Sequence, residues 1–246
     1  MSDVRSAKGF EFSSLGIGAV LKSHRLRVPP YQREYAWTHE EVRQLYEDLT
    51  NAKLEGKDYF LGTIVTIHTG DSNPLEIVDG QQRLTSTAIL LAAIRNHIQS
   101  IGGAALIVES INNEFLNTID RVAGARVSKL TLNIDDNVFF SKLVSSETTS
   151  KAPKTTRTSH ELLLDAAKIA KDWVRDLTKT LSVADQPARL NDWLEYIEFG
   201  ATVILLKTQN GAQAFKMFET LNDRGLKTSQ ADLVKSYLFG QSGHRV

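Results

Sequence analysis

The 246-residue chain is 41% hydrophobic, enough to bury a substantial core, and its 29 basic and 29 acidic side chains cancel, so no whole-molecule positive field draws nucleic acid to it. The absence of cysteine excludes disulfides, cysteine nucleophiles and thiolate metal sites, and the cytoplasm is the expected compartment. Nowhere do about 18 consecutive apolar residues occur, and Met1 to Phe12 lacks the apolar core of a signal peptide, so neither membrane insertion nor export is expected.

Arg25 to Pro30 reads as an extended entry, because Pro29 and Pro30 fix φ and push their predecessors out of helical space; a loop from Tyr31 to Trp37 follows. Thr38 and Glu41 have the spacing of a capping box, and Val42, Leu45, Tyr46 and Leu49 recur at helical intervals behind it, predicting a helix from His39 to about Ala52. Tyr59 to His68 is rich in aromatic and β-branched residues, and Leu75 to Val78 follows the turn Asp71-Ser72-Asn73-Pro74, which predicts two neighbouring strands. Past Asp79-Gly80, the residues Leu84, Ala88, Leu91, Ile94 and Ile98 form one stripe of a helix that ends near Gly102-Gly103.

Helices are predicted over Ala104 to Ile119 and Asn137 to Val144, with a strand-like piece from Val127 to Ile134 between them. Ser145 to Ser159, full of Ser, Thr and Lys around Pro153, reads as a surface loop. Two more helices, His160 to Leu181 and Pro187 to Phe199, precede a strand from Ala201 to Thr208. The last helices, Ala212 to Leu221 and Ser229 to Phe239, flank the turn Asn222-Asp223-Arg224-Gly225. The expected architecture is α+β. A small mixed sheet with helices in residues 1–100 joins a mainly helical lobe in residues 101–246, whose returning strand and closing helix-turn-helix pack back on the first part.

A helix N-terminus carries a partial positive charge and unpaired N–H groups, so an exposed arginine there is unfavourable by ~0.3–1 kcal/mol. Arg83 nonetheless sits in the first turn. A strand ending in Val78, a glycine at position 80 that lets another molecule approach the backbone, and donors from Gln81, Gln82 and Arg83 describe an anion cradle suited to phosphate. In it Gln81 and Gln82 offer amide donors, Arg83 offers a fork for two oxygens, and Asp79 caps the turn or holds a metal through water. The same residues also fit a plain turn in which Gln81 and Gln82 are solvated and Arg83 pairs with a carboxylate. The Gly-x-x-x-x-Gly-Lys spacing of a P-loop is absent.

The loop interleaves Tyr31, Tyr35 and Trp37 with Gln32, Arg33 and Glu34, which suits stacking a base or bracing a phosphate-binding wall; Arg33 is the foremost functional candidate there. Buried structural aromatics have the same composition. Asn222, Asp223, Arg224 and Gly225, with Asp232 and Lys235, offer polar groups to the same pocket, although Ser229 and Asp232 also fit a capping box and the four-residue turn fits a helix C-cap. The six histidines show no ligand spacing and no Gly-x-Ser-x-Gly elbow occurs, so neither a transition-metal site nor covalent catalysis is expected.

Taken together, Val28-Pro29-Pro30-Tyr31-Gln32-Arg33-Glu34-Tyr35-Ala36-Trp37, Phe60-Leu61-Gly62-Thr63-Ile64 and Ile77-Val78-Asp79-Gly80-Gln81-Gln82-Arg83-Leu84-Thr85 resemble the N-terminal domain of GmrSD-like, modification-dependent (type IV) restriction proteins. Phe215 to Gly225 and Ala231 to Lys235 resemble that family's closing motif, so the likeness runs from about residue 13 to residue 240. It implies a ParB-like or sulfiredoxin-like fold, with Asp79 to Arg83 at the phosphates of a nucleoside triphosphate and hydrolysis assisted by Mg2+. Carried over residue by residue, Gly80, Gln81, Gln82, Arg83 and Thr85, the facing Tyr31, Gln32 and Arg33, and Asn222 and Arg224 are the nucleotide-binding candidates. Asp79, Gln82 and Arg83 are the catalytic candidates, with Asp79 the metal ligand. Sulfiredoxin chemistry itself is excluded, since it needs a cysteine.

The resemblance further implies that a nucleotide cycle regulates cleavage of modified or foreign phage DNA. Such proteins carry a C-terminal nuclease domain of the His-Asn-His kind or act with a partner nuclease subunit. Residues 241–246 follow the closing motif with no nuclease constellation, so DNA cutting is expected to require one or the other. The leading expectation is a metal-dependent triphosphatase. The alternatives are a nucleotide-switched subunit that binds DNA or a partner without hydrolysis, and a reader of DNA modification through the Tyr31 to Trp37 loop. Which base the nucleotide carries and whether the chain forms an oligomer stay open.

Overall fold

Consecutive buried side chains at Ile64-Val65 and Leu205-Leu206 give these segments two apolar faces, which demands a sheet covered on both sides. The computed structural model of the protein describes residues 5–7, 9–68, 70, 74–103, 105–120, 124–145 and 154–222, with backbone alone for residues 5–7 and 218–222. Among these residues the strands are β1 (Arg5–Ala7), β2 (Phe10–Gly16), β3 (Leu26–Arg27), β4 (Tyr59–Ile67), β5 (Leu75–Asp79), β6 (Asn117–Asp120), β7 (Ala125–Ser128), β8 (Leu130–Thr131) and β9 (Ala201–Thr208). Seven of them form one mixed sheet in the order β1-β2-β9-β4-β5-β3-β8, while β6 and β7 make a separate antiparallel ribbon. At the centre β9 runs antiparallel to β2 and parallel to β4, and β4 runs antiparallel to β5. The fold is α+β.

The helices are α1 (Ile17–Ser23), α2 (His39–Leu54), α3 (Gln81–Ser100), α4 (Ala105–Ile111), α5 (Ile134–Val144), α6 (Thr158–Thr178), α7 (Gln186–Glu195) and α8 (Gly211–Asn222). Helix α2 starts at the expected capping box: the Thr38 hydroxyl accepts from the Glu40 amide, and Glu41 Oε2 accepts from the Thr38 amide at 2.6 Å. Helix α3 is buried nearly all round, because α6 packs beside it, so the single stripe read from the sequence understates it. Each of its fully buried Leu and Ile side chains stabilises the fold by about 1.5–3 kcal/mol.

One buried cluster joins side chains of α1, α2 and α3 to those of α5, α6, α7 and β9, on one face of the sheet. On the other face Phe10, Phe12, Val65, Ile67, Val78 and Leu206 meet Ala214 and Met217 of α8. Sheet and core therefore both draw on residues before and after position 100, and the returning strand β9 lies at the sheet's centre. Arg95, with no exposed surface, ties α3 to its neighbours: Nη1 donates to Asn112 Oδ1 at 2.7 Å and to the Val144 carbonyl at 3.0 Å, and Nη2 donates to the Ser145 carbonyl at 2.8 Å. Burial pushes its pKa down to about 10.

The helix predicted from Ala104 to Ile119 instead breaks at Asn112 into a π-helical turn, Asn112–Leu116, and then into β6, whose Thr118 and Ile119 pair with Val127 and Arg126. Ladder pairing of β-branched residues outweighs the weak helix preference of that Asn-rich stretch. Likewise α7 stops at Glu195 and a second π-helical turn, Tyr196–Gly200, leads into β9. The strand-like piece divides, since Asn133 Oδ1 accepts from the Asp136 amide at 3.0 Å and starts α5. Strand β2 and helix α1 were not predicted, and the helix predicted from Ser229 to Phe239 lies outside the described residues.

Candidate functional site

Gly80 joins β5 to α3 with φ of 98°, a left-handed conformation, and a Cβ there would lie 2.9 Å from Ile64 Cγ1 on β4. Both the backbone and the space require glycine. The turn is closed by Arg83, whose Nη2 lies 3.3 Å from Asp79 Oδ2 and whose Nη1 donates to the Leu61 carbonyl at 2.6 Å. Burial lowers the pKa of this guanidinium, and the Asp79 carboxylate opposes the shift. Arg83 is thus paired with a carboxylate, that of its own turn. Two of its five N–H donors are engaged.

The acceptors around the turn come from strand irregularities. Between Phe60 and Thr63, β4 carries one more residue than β9 has between Thr202 and Ile204, and Gly62 in this bulge has φ of 100°. The carbonyl of Leu61, inside the bulge, is the one that Arg83 takes. In β5, Val78 is likewise extra, because Val65 pairs with Asp79 while Thr66 pairs with Ile77. Its carbonyl accepts from Gln32 Nε2 at 3.1 Å.

The loop from Tyr31 to Trp37 is fastened to the start of α3. Gln82 is 6% exposed, and its Oε1 accepts from the amides of Ala36 at 3.0 Å and Trp37 at 3.3 Å, while its Nε2 donates to the Glu34 carbonyl at 3.3 Å. Gln81 Nε2 donates to the Arg33 carbonyl at 2.9 Å, and its buried Oε1 has no hydrogen-bond partner among the described residues. Tyr35 is buried, its hydroxyl 2.8 Å from Ser86 Oγ, and burial raises its pKa. Glu34 Oε1 pairs with Arg157 Nη1 at 2.7 Å.

Between loop and turn lies a cleft of about 600 Å³, lined among others by Gln32, Arg33, Trp37, Asp79, Gln81 and Arg83. That volume is within the range of small-molecule and cofactor sites, ~300–1,000 Å³. Arg33 is exposed, and its guanidinium makes no hydrogen bond or ion pair with another described residue. The structure therefore brings together Gln32, Arg33, Asp79, Gly80, Gln81, Gln82 and Arg83. It does not bring in Thr85, which is 1% exposed one turn further along α3, nor Tyr31, which is 61% exposed and rests on Phe215 of α8 with ring centroids 6.1 Å apart. Asn222 ends α8, and Arg224, with Asp223, Gly225, Asp232 and Lys235, lies outside the described residues.

Asp79 is the carboxylate at the cleft, and among the described residues no group of three or more His, Cys, Asp or Glu could hold a metal ion by itself. Mg2+ takes oxygen ligands and usually keeps water while bridging a carboxylate to substrate phosphate. Asp79, whose Oδ1 is not the oxygen paired with Arg83, fits that shared arrangement and no all-protein cage. Sequence reasoning missed the Leu61 and Val78 carbonyls, Ser86, Asn133 and Asp136; a glycine inside strand β4 was the available sign of the first.

Among the described residues no helix is long and apolar enough to cross a membrane. The family model described as GmrSD restriction endonuclease, N-terminal domain, matches residues 17–239 of the chain. A search of the curated proteins gave no match.

Proposed function

The chain belongs to the family of GmrSD restriction endonuclease N-terminal domains, which makes it a component of a restriction system, and from that premise we propose that it binds a nucleoside triphosphate in the cleft between Arg33 and Arg83. The observation that carries this reading is the unengaged guanidinium of Arg33 facing a strand-to-helix turn across about 600 Å³. Arg33 offers a complete fork to the phosphates, Arg83 adds its remaining N–H groups, and the start of α3 contributes its backbone donors. The half-buried Trp37 ring supplies an apolar wall for a base or ribose.

Hydrolysis is part of the proposal. Bound Mg2+ would supply charge neutralisation, held by Asp79 together with the phosphates. Arg33 and Arg83 stabilise charge that develops on the transferred group. The triphosphate state then controls cleavage of modified or foreign DNA by a nuclease domain or partner. A specific observation favours the second reading, a non-hydrolytic switch. Asp79, the carboxylate at the cleft, and Glu34, on the loop beside it, are both held in ion pairs with arginines, so neither stands free as a general base.

The test is phosphate release from ATP, GTP, CTP and UTP with and without Mg2+, run beside equilibrium binding, on wild type, Arg33→Ala and Arg83→Ala. Binding and turnover that both disappear in Arg33→Ala support a catalytic phosphate site. Binding without turnover selects the switch. A wild-type protein that binds none of the four refutes the proposal.

A further inference from the structure

Resting on the reading of the cleft as a triphosphate site, we infer that Asp136 is the positioning residue for Arg33, holding the loop over the cleft through the backbone of Tyr35. Asp136 is 1% exposed in the first turn of α5. Its Oδ2 accepts from the Tyr35 amide at 2.7 Å, and its Oδ1 accepts from Ser159 Oγ at 2.6 Å in the first turn of α6. A carboxylate so deeply buried is costly unless hydrogen-bonded, and two helix N-termini plus charge-assisted donors offset that cost here.

The neighbours of Asp136 hold the same loop. Asn133, the cap of α5, donates from Nδ2 to the Gln32 carbonyl at 3.4 Å. Arg157, just before α6, bridges Glu34 Oε1 at 2.7 Å and Asp135 Oδ1 at 2.6 Å. Helix α3 meanwhile takes the Arg33 and Glu34 carbonyls through Gln81 and Gln82. Every residue from Gln32 to Tyr35 is thus gripped from one side or both, while the Arg33 guanidinium is left for the cleft. Of these grips the Tyr35 amide is the buried one made to a charged acceptor, so it fixes the position of the loop most firmly.

The test uses Asp136→Ala, which removes both bonds, and Asp136→Asn, whose oxygen keeps the Tyr35 bond and whose amide donates to Ser159. Amide hydrogen exchange over residues 32–37 is measured beside the dissociation constants of ATP, GTP, CTP and UTP with Mg2+. In Asp136→Ala, exchange of residues 32–37 is expected to rise about tenfold over that of α3, triphosphate binding is expected to weaken about tenfold, and Asp136→Asn is expected to recover most of both. Should Asp136→Ala fail to fold, Ser159→Ala replaces it, with an expected weakening of about threefold in binding. Undiminished binding in these variants, or an exchange increase shared evenly by the whole molecule, overturns the inference. A wild type that binds no triphosphate counts against the cleft reading alone, and the exchange comparison then decides whether Asp136 holds the loop.

Discussion

Asp79 and Arg83 close the β5–α3 turn on themselves, carboxylate Oδ2 to guanidinium Nη2 at 3.3 Å, with side chains only 26% and 16% exposed. The arginine is therefore part of the frame as well as of the cleft wall. Arg33, on the opposite wall, carries no such duty.

Replacing these two arginines is expected to separate stability from binding. Arg83→Ala leaves the half-buried Leu61 carbonyl and the Asp79 carboxylate without their donor, and urea unfolding is expected to show a loss of about 1–3 kcal/mol. Arg33→Ala is expected to stay within about 0.5 kcal/mol of wild type while losing triphosphate affinity. Equal stabilities for the two variants would contradict the strut role of Arg83.

Gly80→Ala puts a methyl group on a residue at φ of 98° and within 2.9 Å of Ile64 Cγ1. Left-handed strain costs ~1–2 kcal/mol, and the displaced isoleucine adds to it. Thermal or urea unfolding is expected to show a combined loss of about 2–3 kcal/mol. A neutral result would mean that the turn relaxes freely.

Gln82→Ala strips the acceptor from two backbone amides, those of Ala36 and Trp37. The expected cost is about 1–3 kcal/mol, with faster hydrogen exchange concentrated at residues 34–37. Gln82→Glu keeps an acceptor for both amides but turns a second oxygen on the Glu34 carbonyl, so it is expected to fall between wild type and alanine. If Gln82 touched phosphate directly, its loss would reduce affinity without altering loop exchange.

His24 gives a pH dependence of definite sign. Burial first, and then the positive field of Lys207, Lys129 and His68, pushes its pKa down from 6.5 to about 4. The folded state therefore binds fewer protons than the unfolded chain between those values. Its contribution is present above pH 6.5 and is lost as the pH falls toward 4, by about 3 kcal/mol. Relative to His24→Gln, wild type is expected to lose that amount between pH 7 and pH 4 in urea unfolding; a constant difference would show that His24 is not held neutral.

What could be read from the sequence follows the range of the interactions involved. The starts of α2 and α3 were legible because a capping box and a glycine are local signals, and β4, β5 and β9 because their apolar β-branched runs are continuous. The conversion of Asn117 to Asp120 into β6 depends on β7, which local propensity does not report. At the site, the out-of-place charge of Arg83 drew notice to the turn and left open a pairing with a carboxylate, but the charge alone could not say that Asp79 and a strand carbonyl answer it. Gln82 read as a free amide, since nothing local places Ala36 and Trp37 beside it.

The extra residue in β4 has a consequence for how such a protein can change over time. Side chains alternate faces along a strand, so the added position at Leu61-Gly62 shifts Tyr59 and Phe60 by half a period relative to Ile64 and Val65. Deleting one residue there would leave Phe60 and Thr63 opposite Thr202 and Ile204 in a regular ladder, but it would remove the bulge and withdraw the carbonyl from Arg83 in a single step. Loss of the extra residue is thus tied to a simultaneous change at position 83. Point substitution, by contrast, can vary the cleft-facing side chains of the loop one at a time.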